Sequence, residues 1–141
     1  LIDDENLNVS VLVLYALGKL GGSIDLIEDK LNDAEPRVQA EAINALGLRG
    51  STGSIKLIEK KLQSSDNPRV LGQCAATLAK LGSKSSIPLI ERLLENSIPF
   101  VYKNAADALA ILSKDIKYSR LYSGQLNDEE FFNKERSSMT N

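Results

Sequence analysis

The stretch Val38-Gln39-Ala40-Glu41-Ala42-Ile43-Asn44-Ala45-Leu46-Gly47-Leu48-Arg49-Gly50 places apolar or small residues at Val38, Ala42, Ala45 and Leu46. Spacing of i, i+4, i+7 and i+8 is one stripe of an α-helix. Gly50 stands where a helix ends on a left-handed residue. The end of this stretch returns along the chain. Ala16-Leu17-Gly18-Lys19-Leu20-Gly21 precedes it, and Thr77-Leu78-Ala79-Lys80-Leu81-Gly82 and Ala108-Leu109-Ala110-Ile111-Leu112-Ser113 follow. Successive copies lie 29, 32 and 31 residues apart, and Val9, Val38, Val70 and Val101 each lead their copy by seven residues. A period of this length marks stacked copies of one supersecondary unit.

A second series runs in register with the first: Ile24, Ile27, Leu31; Ile55, Ile58, Leu62; Ile87, Ile90, Leu94. Its i, i+3, i+7 spacing predicts a first helix in each unit, over 24–31, 55–62 and 87–94. The second helices are predicted over 9–20, 38–48, 70–81 and 101–112. The uneven steps come from the connections, where chains tolerate length changes. The Gly21–Ile24 loop is two residues shorter than its counterparts, and the turn between Leu62 and Val70 is one residue longer than that between Leu31 and Val38. All four prolines, Pro36, Pro68, Pro88 and Pro99, fall at expected helix starts, where the missing N–H is harmless. The fold class is therefore all-α: an α-solenoid, or superhelix, of stacked antiparallel helix pairs.

Three segments are expected: a repeat array over 1–113, capping helices over 114–136, and a disordered tail over 137–141. By register Ile2 matches Leu31, so the first repeat is expected to be incomplete. Asp4, Asp33, Ser65 and Asn96 share the turn position between the two helices of a unit.

Bulk properties narrow the function. The 141 residues carry a net charge of −2, too weak a field to draw in nucleic acid or an anionic membrane by charge alone. No apolar run approaches the roughly 20 residues needed to cross a bilayer. The single cysteine, Cys74, precludes an internal disulfide, and a cytoplasmic location is expected. Cys74 holds the small-residue position of Ala42 and Ala105, as a core filler would. The chain has no histidine, so His-based triads, acid–base pairs and metal sites are absent. Gly21-Gly22 lacks the Lys-Ser/Thr of a phosphate loop. No cofactor or metal is expected, and the chain is not expected to be an enzyme.

The units resemble HEAT-like repeats of the type named after phycobilisome (bilin) lyases. Ile87-Pro88-Leu89-Ile90, the turn residue Asp33, and Val38 followed by Ala42 and Ala45-Leu46-Gly47 carry the likeness over roughly 1–113. That family usually has arginine directly after the valine, paired with the turn aspartate. Here the position holds Ser10, Gln39, Leu71 and Tyr102, while Arg37 and Arg69 sit on the other side of the valine. The missing histidines also remove the His-Glu ligands of HEAT-like deoxyhypusine hydroxylases.

The resemblance implies a concave face built from outward positions of the second helices. Carried over by register, these include Arg37, Ala40, Glu41 and Asn44; Arg69, Gly72, Gln73 and Ala76; and Phe100, Lys103, Asn104 and Asp107. They form either a mixed polar groove for a protein segment, with Phe100 as an anchor, or an ordinary solvated face. Their counterparts Val11, Leu12 and Tyr15 make an apolar patch that suits docking or self-association, or burial under further repeats. A protein-binding scaffold is the leading expectation, with another protein or peptide as partner. The alternatives implied by resemblance are a bilin lyase-like maturation factor and a nucleic-acid-binding module. The second has only Arg37, Arg69 and Lys103 to offer, against Glu41 and Asp107.

Overall fold

A computed structural model of the chain describes residues 4–114. The expected capping helices over 114–136 (Lys114 apart) and the tail over 137–141 lie outside the described residues. The second helices are α1 (Asp4–Leu20), α3 (Pro36–Leu48), α5 (Pro68–Lys80) and α7 (Pro99–Ser113). The first helices are α2 (Ile24–Asp29), α4 (Ile55–Ser64) and α6 (Ile87–Glu91). Helices α1, α3, α5 and α7 pack in a row, each on its neighbour, while α2, α4 and α6 lie against α3, α5 and α7 respectively. The result is a two-layer solenoid.

Local chemistry sets the boundaries. Pro36, Pro68 and Pro99 open α3, α5 and α7, and Pro88 lies in the first turn of α6. Gly21, Gly50 and Gly82 have φ of +85°, +64° and +71°, the left-handed region that a Cβ makes costly. Beyond each glycine the chain folds back onto the helix. The amides of Gly22, Ser51 and Ser83 donate to the carbonyls of Leu17, Leu46 and Leu78 at 2.8, 3.0 and 3.0 Å, the six-to-one bond of a Schellman ending.

The turn position does one job with three residue types. Side-chain oxygens of Asp33, Ser65 and Asn96 accept from the amides of Glu35, Asn67 and Ile98 at 2.9, 3.1 and 2.9 Å. Gln39, standing at the position of the family's arginine, donates from Nε2 to the Asp33 carbonyl at 2.5 Å. Asp4 departs from this scheme. The register assigns it to a turn, but it opens α1, which lacks the proline that starts each other second helix.

The two longer loops form 3-10 turns over Thr52–Ser54 and Lys84–Ser86. Each presents a buried serine to the unit before it. Ser54 and Ser86 donate to Glu28 Oε2 and Glu59 Oε2 at 2.6 and 2.8 Å. A hydroxyl has one proton, so Ser51 and Ser83 donate to these serines in turn, at 2.8 and 2.7 Å. Between the layers, Ile27, Ile58 and Ile90 of the first helices and Leu46, Leu78 and Leu109 of the second helices are fully buried in one apolar cluster. Each such side chain contributes about 1.5–3 kcal/mol.

Candidate functional site

A groove of about 540 Å³ crosses the second-helix layer from α1 to α7. Its rim is built by one position in three successive units. Arg37, Arg69 and Phe100 each follow the proline at the start of a helix, so all three project from a first turn, and all three are exposed. One turn further on, Glu41 and Gln73 line the groove, with Ala40 and Pro68 in its wall and Val11 at its α1 end.

Of the twelve residues expected on this face, the nine polar or aromatic ones divide. Arg37, Glu41, Arg69, Gln73 and Phe100 come together in the groove, whereas Asn44, Lys103, Asn104 and Asp107 are outside its lining. Three of the amides bond along their own helices. Asn44 donates to Glu41 Oε1 at 3.3 Å, Gln73 to Thr77 Oγ1 at 3.0 Å, and Asn104 to the Phe100 carbonyl at 2.6 Å. Among the described residues, neither Arg37 nor Arg69 has a side-chain hydrogen bond or ion pair. Arg49, in contrast, donates to the Gly22 carbonyl and ties α3 to the loop after α1.

Two of the positions read as outward, Ala40 and Gly72, are buried. The cause at Gly72 is the Phe100 ring: a Cβ there would lie 2.4 Å from Phe100 Cε1. Phe100 thus rests on α5 while 48% of it stays exposed. The apolar patch is also divided. Val11 is half-buried in the groove, Leu12 is exposed outside its lining, and Tyr15 lies beneath the Lys19 ammonium at 5.8 Å. Ala40 lines the groove wall as its register implied, whereas Pro68 is a wall residue that the sequence reading did not anticipate. The signal for Pro68 was its adjacency to Arg69.

Cys74 is buried beneath α4. Burial pushes its thiol up to about 12, and the charge of Lys61 offsets this only in part. A thiol so held stays protonated and unreactive at neutral pH. Among the described residues, no three His, Cys, Asp or Glu side chains group closely enough to hold a metal ion. No helix among them is long and apolar enough to cross a membrane.

No curated protein matches the chain. The family model for HEAT repeats matches residues 24–110 and, in an overlapping placement, 55–129. Repeats of this kind commonly serve as protein-interaction scaffolds, because their stacking extends one surface unit by unit. With the solenoid, the repeated caps and these matches in place, the chain belongs to the HEAT-repeat family.

Proposed function

We propose that the chain is a non-catalytic scaffold whose second-helix groove holds a segment of a partner protein that carries an acidic side chain. The observation that carries this reading is the pair Arg37 and Arg69. Both are exposed at equivalent positions of adjacent units and line one groove. Both sit in the first turn of a helix, where a cation opposes the macrodipole. This placement is locally unfavourable and gathers positive potential at the groove rim. A guanidinium pair there suits a carboxylate, which each can bind in bidentate fashion. The half-exposed Phe100 ring beside them supplies an apolar anchor. The cytoplasmic location expected from the lone thiol belongs to the same proposal.

The test is selection of a displayed peptide library on the full chain, followed by affinity measurements on Arg37→Glu, Arg69→Glu and the double variant. Selected peptides are expected to carry Asp or Glu. Each reversal should weaken binding about tenfold, roughly 1.4 kcal/mol, without lowering Tm, because an acid in a first turn is favourable. A peptide held as tightly by the double variant overturns the proposal. Bilin maturation, implied by the resemblance to lyase-type repeats, is read in the same samples. A bilin absorption band that shifts on mixing, and does not shift with the double variant, would replace the scaffold reading.

A further inference from the structure

Helix α1 is apolar nearly all round, a composition that suits burial on several sides. Leu14 on one side is buried toward α3, but Val9 and Val13 on another are 54% and 52% exposed. Their register mates show what this face normally does. Val38, Val70 and Val101 match Val9, and Ala42, Cys74 and Ala105 match Val13; all six are at most 2% exposed. In each of those three units the covering element is a first helix, α2, α4 or α6. Over α1, a groove of about 260 Å³ runs between Val9, Val13 and Leu17 and an edge formed by Leu26 of α2 and Lys30 just after it.

The matching edge one unit later is Leu57 and Lys61 of α4. It lines a groove with Glu28 and Asp29 of α2 and with Leu31 in the 3-10 turn that follows. Ser23 completes the comparison. It precedes Ile24 as Ser54 precedes Ile55 and Ser86 precedes Ile87. Ser54 and Ser86 are fully buried and donate to Glu28 and Glu59 of the preceding first helix, whereas Ser23 is exposed and its oxygen caps α2 by accepting from the Leu26 amide at 3.5 Å, which occupies a lone pair and not its proton.

We infer that the α1–α2 face is a docking site for one amphipathic helix of a partner, of the pattern Ile-x-x-Ile-Glu-x-x-Leu. Its apolar residues seat on Val9, Val13 and Leu17, as Ile55, Ile58 and Leu62 seat on α5. Its glutamate accepts from the Ser23 hydroxyl, as Glu59 accepts from Ser86. Lys30 favours an acidic flank on the incoming helix, as Lys61 shares its groove with Glu28 and Asp29. The site lies apart from the Arg37–Arg69 groove, and binding at either is independent of the other.

The probe is a peptide of this chain's own residues 22–34, which carries Ile24, Ile27, Glu28 and Leu31 in this pattern together with Asp25, Asp29 and Asp33, locked helical by a lactam on its exposed side and fluorescently labelled. It is titrated with the full chain, and anisotropy is read. Saturable binding is expected. Val13→Glu and Leu26→Glu should each weaken it at least tenfold, and Ser23→Ala about threefold. Both glutamate variants alter half-exposed side chains, so their circular dichroism melts should match the parent's. A control peptide with alanine at its two isoleucines and last leucine should not bind. Absence of binding by the parent peptide, or binding unchanged in both glutamate variants, overturns the inference. So does a sedimenting homodimer that Val13→Glu dissociates and the peptide does not, since the face would then belong to a second copy.

Discussion

Cys74 takes the place that Ala42 and Ala105 fill in the neighbouring units, and all three are fully buried. Removing its sulfur is therefore a small change. Cys74→Ala is expected to cost about 1 kcal/mol at pH 7. The difference should shrink in alkali. The thiol's folded value stands near 12 against 9.0 for the free group, so its stabilisation is intact below about pH 9. It is lost progressively as pH rises toward the folded value, because the unfolded chain ionises first. Urea unfolding of parent and variant at pH 8 and pH 10.5 checks this. A gap that stays constant or widens contradicts it. A second residue-scale test concerns Gly72 and Phe100. Gly72→Ala should be better tolerated by about 1 kcal/mol in a Phe100→Ala background than in the parent, since the ring blocks the new methyl. A cycle that closes with no coupling contradicts the packing seen. Phe100 was legible in the sequence as a groove residue, because three equivalent positions follow three prolines. Its seat on Gly72 was not, because register shows which face a residue shares and not how far a ring leans toward the next helix.

At the scale of elements, the units are joined by more than apolar packing. The Glu28–Ser54 and Glu59–Ser86 bonds repeat between successive units, in a chain whose sequence lacks the family's usual aspartate–arginine pairing. Ser86→Ala removes the donor to Glu59 and the hydroxyl that Ser83 donates to. A loss of about 1–3 kcal/mol is expected from a charge-assisted bond at a buried donor, read by chemical denaturation. A loss below a few tenths would show that the bond contributes nothing net. Prolines mark the starts of α3, α5, α6 and α7, and glycines the ends of α1, α3 and α5, so these boundaries could be read from the sequence. The serine ladder was hidden because Thr52–Ser54 and Lys84–Ser86 look like ordinary polar loop residues. Only the 3-10 turns that their two extra residues permit aim those serines at the preceding helix. Asp4 was misplaced for the converse reason: valine register carries no information about a helix start that has no proline.

For the whole molecule, a solenoid brings one position of each repeat onto one surface, and this makes a groove from residues 32 and 31 positions apart such as Arg37, Arg69 and Phe100. Fold class follows from the period alone. The groove's extent does not, since Asn44, Lys103, Asn104 and Asp107 share its register yet fall outside its lining. The central claim is that this groove receives the acidic partner segment. Amide chemical-shift mapping of the full chain with a library-selected acidic peptide tests it most directly. Perturbations should concentrate at 37–41, 68–73 and 100, and the set should vanish with Arg37→Glu combined with Arg69→Glu. Perturbations centred on α2, α4 and α6 that persist in the double variant would contradict the claim.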